Sequence, residues 1–537
     1  MVQTATVDRS HRTVNSVPAQ LLNHCTVCFE EQLYAQALSL LFNTLTSGTS
    51  STHTCYIPPA QHLALTATLA VHPQLTTRTK SRDKQIASDE ALRYLRHVNA
   101  LVGPRRSGLN KAFTCLDSLS SSRTKRVRIR QHDIDHRRND EDDQPGDIRS
   151  PYASKESLWN QAADFWSMFG WALNCSVVHK RRWDRWKLWL EFMLDVLSDD
   201  LAIFDHSEDG SDSMLAQYLS PIGEGRNNKR RLLRAILADG SHKSLAEFGE
   251  VWKNETQGPK NRKGDEGAWS SKRKKLDLEN GEYGDYSGDD SDNGDSPQSR
   301  EITTRSRSAT AFPSRAASDD DEAEDARSDQ DVDTSLASSP HTWPIQAYGG
   351  PDSIRLRQRL LALLFTFCAK YPALFVDTED LLDLYTEFLR PLPLPVFQAF
   401  VLPSKPYLTA RAQTNLSCML LRPLLAATAP AYTEASLTAE GFGKWYAPFA
   451  ANGAGAVDNA KCSLLIEGLL RGISGEGGDA RIGGKLRKAV EKGIEARRAR
   501  VAHAGRRRTG SKAKEEDEAV MVMDCSAERM MAWLELI

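Results

Sequence analysis

The sequence has few cysteines and no long apolar stretch. Nine cysteines are scattered over 537 residues, and several lie in apolar helical surroundings, namely Cys175, Cys368, Cys418 and Cys462. This distribution indicates reduced thiols in a reducing compartment and not a disulfide framework. The longest apolar run, residues 360–369, is about half of the ~20 residues that a membrane-spanning helix needs. We therefore expect no membrane segment.

An apolar signal-peptide core and an overall charge of one sign are missing too. The Ser/Thr-rich start carries Arg9 and Arg12, so a mitochondrial transit peptide is an alternative, which Asp8 and the lack of an amphipathic pattern weaken. The chain has 69 Lys+Arg against 71 Asp+Glu. Net charge therefore indicates no partner, and only local charge runs are informative.

Sequence motifs for phosphate, dinucleotide and calcium binding are also incomplete, because a required residue is replaced in each. The glycine-rich run near residue 480 has Asp479 where a P-loop needs its first glycine, and Leu486 follows its lysine. Asn228 replaces the third glycine of a dinucleotide fingerprint, and Arg300 replaces the glutamate of a calcium loop. Signatures of serine hydrolases, zinc proteases and kinases are missing as well. We expect no catalytic residue and no cofactor.

A zinc site is a weak alternative near the N-terminus. A Cys-x-x-Cys pair lies in an apolar helical pattern, and no second such pair follows. Buried thiols are therefore the expected state of this group, which comprises His24, Cys25, Cys28, His53 and Cys55.

Helical periodicity is what the sequence does contain. Apolar residues recur near the 3.6-residue period in residues 17–255 and 346–473, with Pro or Gly at the joints and few strand patterns. The predicted fold class is all-α, a helical bundle or irregular α-solenoid in two regions without a fixed repeat. Residues 1–16 are predicted to be disordered, and residues 119–150 to form a polar loop.

Tryptophan is concentrated in one stretch. Six of the eleven tryptophans fall within residues 154–200. Trp159 and Trp166 lie on one predicted helical face that runs on to Leu173, and Trp183 and Trp186 lie on another. Because aromatic side chains bury ~150–250 Å² each, we expect these faces to pack together as a structural core.

The insert at residues 256–345 is rich in Gly, Ser and charged residues and almost without aliphatic ones. It is predicted to be disordered, because it buries too little apolar surface to offset its ordering entropy. Its basic run resembles a monopartite nuclear import signal, which an import receptor binds in extended form; a solvated charge run is the alternative. The run consists of Lys272, Arg273, Lys274 and Lys275.

The same insert contains candidate phosphorylation sites. Ser296 precedes a proline, as in proline-directed sites, and Ser318 and Ser328 precede acidic residues. Phosphorylation would add about −1.5 to −2 charges at each serine. The alternative is an acidic tract that only confers solubility.

A Gly-rich and then basic segment follows at residues 474–518, predicted to be disordered, and a short helix is predicted at residues 519–537. The basic part is a candidate for nonspecific phosphate contacts with nucleic acid, and a solvated linker is the alternative. It has no interleaved aromatic residues for base stacking. The candidate contacts are Arg497, Arg498, Arg500, Arg506, Arg507 and Arg508.

Three blocks of the sequence resemble an uncharacterised family of α-helical proteins from filamentous fungi. They are the Trp-rich block between Asp164 and Asp195, the Arg-Pro-Leu-Pro-Leu-Pro run at residues 390–395, and residues 448–461. The resemblance spans both helical regions. It implies a lineage and carries no activity, ligand or partner.

These observations favour a nuclear scaffold or adaptor, with a cytoplasmic location as the alternative. The expected partners are an import receptor and other nuclear proteins, for example of chromatin, transcription or ribosome-assembly complexes. A nucleic-acid-binding protein that uses residues 485–514 is the second hypothesis. An enzyme of unfamiliar type, with a site around Asn174, His179 and Asp184, is the third.

Overall fold

A computed structural model describes residues 12–47, 54–113, 148–204, 210–223, 225–259, 343–425, 437–474, 483–504 and 511–536. These residues form twenty α-helices and two short strands, which confirms the all-α prediction. The strands, β1 (Val14–Ser16) and β2 (Cys55–Ile57), pair in parallel with Val14 opposite Cys55. No helix of the described part is long and apolar enough to cross a membrane.

Eleven helices precede the insert. They are α1 (Ala19–Glu30), α2 (Tyr34–Thr46), α3 (Ala60–Val71), α4 (Arg82–Val102), α5 (Leu109–Phe113), α6 (Leu158–Gln161), α7 (Phe165–Val178), α8 (Lys180–Ile203), α9 (Met214–Leu219), α10 (Arg226–Ile236) and α11 (His242–Glu247).

Nine helices follow the insert. They are α12 (Trp343–Ala347), α13 (Gly350–Lys370), α14 (Thr378–Leu389), α15 (Leu394–Val401), α16 (Ala410–Leu425), α17 (Ala439–Trp445), α18 (Ala456–Ser474), α19 (Gly483–Ala504) and α20 (Ser511–Leu536). The described helices on both sides of the insert belong to one compact unit.

The Trp-rich stretch forms three helices, because Asp164 interrupts the predicted continuous face between Trp159 and Leu173. Its carboxylate accepts a hydrogen bond from Ser167 N at 2.7 Å and caps α7. Trp166, Trp183 and Trp186 are buried in the core, whereas Trp159 is half-buried and stacks on a phenylalanine.

Helix α13 packs along α8 and joins the two halves. Lys187 Nζ lies 3.0 Å from Asp352 Oδ2, and Arg359 pairs with Asp195 at 2.6 Å. Before α13, Gly349 has a φ of +88°, and a Cβ there would overlap Ser176 on α7. A glycine is needed at this close approach.

The prediction that residues 474–518 are disordered is wrong for residues 483–504 and 511–518, and the final helix was predicted too short. Helix α19 covers residues 483–504, and α20 begins at Ser511. The physical reason is an apolar stripe on α19 at Leu486, Val490 and Ile494, all buried. Spaced four residues apart, these side chains lie on one helical face and pack into the core.

Two further boundaries also differ from the prediction. Residues 14–16, assigned to a disordered N-terminus, form β1 because they pair with β2. Helix α12 begins at Trp343, inside the predicted insert. The predicted polar loop is described only from residue 148 onward.

Candidate functional site

The import signal and the candidate phosphoserines lie outside the described residues. This applies to Lys272, Arg273, Lys274, Lys275, Ser296, Ser318 and Ser328, and also to the candidate nucleic-acid contacts Arg506, Arg507 and Arg508.

Each of the remaining candidate nucleic-acid contacts has a partner within the protein. Arg497 is fully buried and donates to the carbonyl oxygen of Phe449 at 3.0 Å, so its prediction as a phosphate contact is wrong. Arg498 pairs with Asp524 at 2.9 Å, and Arg500 donates to the carbonyl of Ala451 at 3.4 Å.

The burial of Arg497 depends on close packing of α19 against the loop after α17. Gly493 touches this loop, and a Cβ there would overlap the carbonyl oxygen of Ala447. Burial lowers the pKa of Arg497 and raises that of the neighbouring Cys462 thiol to about 11, although the guanidinium partly offsets the latter shift. These groups are part of the core.

The residues of the enzyme hypothesis do not form a common site. Asn174 is fully buried, and its Oδ1 accepts hydrogen bonds from Gly240 N at 2.9 Å and Ser244 Oγ at 2.7 Å. His179 lies between α7 and α8, and Asp184 is exposed on α8. Asn174 thereby fixes the chain between α10 and α11.

The cysteines of the zinc alternative are buried on α1 and β2. Burial raises the pKa of Cys25 to about 11, and Cys28 Sγ lies 3.9 Å from His24 Nε2. Within the described ranges, no group of three or more His, Cys, Asp or Glu residues could hold a metal ion. His53 lies outside these ranges.

A buried ion pair joins the start of α8 to the chain that follows α11. Arg182 Nε donates to Glu255 Oε1 at 2.8 Å, and its two terminal nitrogens donate to Thr76 Oγ1 and to the Val71 carbonyl, each at 2.9 Å. Trp186 Nε1 donates to the same Glu255 oxygen at 2.8 Å. Because the donors of Arg182 are satisfied, this pair ties α8 to α3 and to the chain after α11.

A concavity between the described helices, here called the Pro391 cleft, has a volume of about 540 Å³. One wall comes from α10, α11 and the chain between them; the other comes from the end of α12, the end of α14 and the residues that follow each of them. Apolar groups dominate the lining, including Leu237, Phe248, Tyr348, Phe388, Pro391, Leu392 and Pro393.

Buried polar contacts hold the floor of the Pro391 cleft. Tyr348 Oη donates to the Leu237 carbonyl at 2.7 Å, and Arg357 Nη2 donates to the Ala238 carbonyl at 2.8 Å. The Arg357 guanidinium lies 4.4 Å from the centre of the Tyr348 ring. Burial lowers the pKa of Arg357 and raises that of Tyr348. The floor is therefore preorganised, since its side chains already have fixed partners.

The rim of the Pro391 cleft carries charge. Arg234 and Glu247 form a bidentate pair, with Nε–Oε2 at 2.7 Å and Nη2–Oε1 at 2.8 Å. Lys243 is exposed and forms no ion pair with any described residue. An apolar cleft with a charged rim is suited to side chains of a peptide or another protein.

The Pro391 cleft was not predicted from the sequence. Residues 390–395 stood out only as a proline-rich run that resembles an uncharacterised family. An interruption of α14–α15 by exposed prolines was the one usable signal.

No protein-family model matches the chain, and a search of curated proteins found no match. The geometry of the described residues therefore carries the functional inference.

Proposed function

We propose that this protein is a nuclear scaffold or adaptor, and that the Pro391 cleft binds a peptide segment of a protein partner. The observation that carries the proposal is the cleft itself: an apolar concavity of about 540 Å³ whose floor is already hydrogen-bonded. Binding to such a surface loses little conformational entropy on the scaffold side.

The chemistry of the cleft specifies the segment. Its lining favours apolar or aromatic side chains, which act as buried anchors in protein interfaces. The rim carries one exposed cation, Lys243, and one exposed anion, Asp239, beside the paired Arg234 and Glu247, so its charge favours neither sign of side chain. The partner is therefore a segment with apolar or aromatic anchors and polar neighbours.

The nuclear part of the proposal depends on the basic run at residues 272–275 in the insert. Four consecutive basic side chains in a polar, charged stretch suit an import receptor that binds extended peptides. The candidate phosphoserines of the same insert offer a means of regulating partner binding by charge.

The test is affinity purification of the tagged full chain from native cells, with and without nuclease, read by mass spectrometry. We expect a set of nuclear proteins that survives nuclease and is lost from Ala347→Arg, because Ala347 is exposed and lines the cleft. Gln346→Arg, exposed on the same helix but outside the cleft lining, is the matched control and should keep the partners. Partners that bind both variants equally would refute the cleft as the docking site.

Nucleic-acid binding through α19 is the second candidate, because α19 presents free cations. Lys485, Lys488 and Lys492 are exposed and form no ion pair with any described residue. Truncation at Gly484 would also remove α20, whose Arg529 holds the buried Glu467, so point substitutions test this better. Replacing the three lysines by glutamate should abolish salt-dependent retention on duplex DNA. Equal retention of this variant would exclude the surface.

A further inference from the structure

A separate cavity lies where α8 begins, here the α8 cavity. It has a volume of about 420 Å³, and its lining comes from Thr77, the end of α7, the first residues of α8, and residues 256–258. None of these residues lines the Pro391 cleft. The α8 cavity is therefore a distinct candidate site.

The free charges that face the α8 cavity are positive. Lys180 and Arg181 line it, are exposed, and form no ion pair with any described residue. Arg182 also lines it but is neutralised by Glu255. No acidic residue belongs to the lining. Glu250, which follows α11, already accepts the backbone N–H of Thr256, at 3.3 Å, and its hydroxyl. Two uncompensated cations therefore attract an anion here.

Hydrogen-bond donors in the wall add to this attraction. The first backbone N–H groups of an α-helix have no partner within the helix and carry partial positive charge. Helix α8 is 24 residues long, and the side chain of its N-cap residue His179 makes no capping hydrogen bond.

We propose that the α8 cavity binds the phosphate group of a phosphoserine within an acidic peptide. A phosphate monoester brings close to two negative charges and three acceptor oxygens, which suit Lys180, Arg181 and the start of α8. The cavity volume of about 420 Å³ leaves room for the residues that flank the phosphoserine. Val178, 41% exposed at the edge, offers an apolar contact to such a residue.

The bound phosphoserine can come from two sources: another protein, or this chain itself, for example at Ser296. The second source is close in sequence, because residues 256–258, at the start of the insert, line the cavity, and this described stretch ends at Pro259. A site of either kind lets phosphorylation control what the chain binds.

The experiment is fluorescence anisotropy on the dephosphorylated full chain with a labelled peptide of residues 290–302, phosphorylated at Ser296 or unmodified. We expect the phosphorylated peptide to bind at least about tenfold more tightly, in a salt-dependent manner. The variant Lys180→Glu with Arg181→Glu should lose about tenfold or more, and the milder Arg181→Gln a part of this. Lys405→Glu, at an exposed position that has no ion pair among the described residues, is the single-charge control and should bind like the wild type.

The outcomes separate clearly. Equal binding of both peptides, or wild-type affinity of the double variant, would overturn the proposal; so would an equal loss in Lys405→Glu, which would indicate a nonspecific charge effect. A full chain made with phosphoserine at position 296 identifies the source. Weaker capture of the labelled peptide by that chain assigns the site to its own insert, and unchanged capture assigns it to another protein.

Discussion

Arg182 and Glu255 form an ion pair in the interior, with 2% and 0% of their side chains exposed and 2.6 Å between Nη2 and Oε1. Both charges have further partners, so neither is left unsatisfied. This pair anchors the chain after α11, and residues 256–258 of that chain line the α8 cavity. The stability of this region therefore depends on retaining both residues.

Glu255→Gln should lower the free energy of unfolding by about 3–5 kcal/mol, because it leaves the buried Arg182 without a counter-charge. Denaturant unfolding followed by tryptophan fluorescence measures this, since Trp186 donates to the same carboxylate. Glu90→Gln is the matched control: it removes a more exposed pair with Arg93 and should cost less than about 1 kcal/mol. A loss of similar size in both variants would contradict the structural role of Arg182–Glu255.

Acid should destabilise the fold through two buried histidines. Burial lowers the pKa of His62 to about 4 and of His72 to about 3, with Arg182 adding to the shift of His72. At pH values between these pKa values and the unfolded pKa near 6.5, the unfolded chain binds more protons than the folded protein does. Stability therefore falls as the pH decreases from about 6.5. At pH 5 the loss is roughly 2 kcal/mol for each histidine.

Thermal unfolding of His72→Phe at several pH values checks this effect. Phenylalanine suits the site because the His72 ring packs between Tyr152 and Trp252, at 4.6 and 4.9 Å between ring centres. The stability of this variant should fall less steeply than that of the wild type as the pH decreases from 6.5 to 5. His503→Gln, at an exposed position, is its control and should keep the wild-type slope. An unchanged slope in His72→Phe would contradict the role of His72.

The sequence was sufficient to predict the helices that have an apolar face and clear ends. Helix α8 illustrates this, because its buried tryptophans recur at helical spacing. Helix α19 was missed because seven of its 22 residues are Lys or Arg, and composition obscured the stripe at Leu486, Val490 and Ile494. The burial of Arg497 was not predictable either, since its acceptor, the carbonyl of Phe449, lies 48 positions earlier.

The Pro391 cleft was not predictable for the same reason. Its walls come from residues 234–248 and 347–393, and only long-range packing brings them together. The side chains that fix its floor, Tyr348 and Arg357, bind carbonyls that are 111 and 119 positions away in the chain. Local periodicity contains no information about such pairs.

Gly493→Ala should destabilise the packing of α19 by about 1–3 kcal/mol, because the added methyl group would overlap the Ala447 backbone. The same helix offers a matched control in Gly484, where a Cβ meets nothing within 4 Å. Gly484→Ala should be neutral or slightly stabilising, since alanine favours helix more than glycine does. The measurement is the denaturant midpoint of unfolding for each variant. Equal midpoints would refute the close approach of Gly493 to the Ala447 backbone.

The proposed nuclear location makes a prediction that depends on the insert alone. A fluorescent reporter fused to residues 256–300 should accumulate in nuclei, because an import receptor binds consecutive basic side chains of an extended peptide. Lys274→Ala with Lys275→Ala should abolish the accumulation, whereas Lys260→Ala with Lys263→Ala, an equal loss of charge at the upstream basic residues, should preserve it. Loss of import in both variants would indicate a bipartite signal. A wild-type fusion that stays cytoplasmic would remove the main support for a nuclear scaffold and leave the Pro391 cleft as a docking site in another compartment.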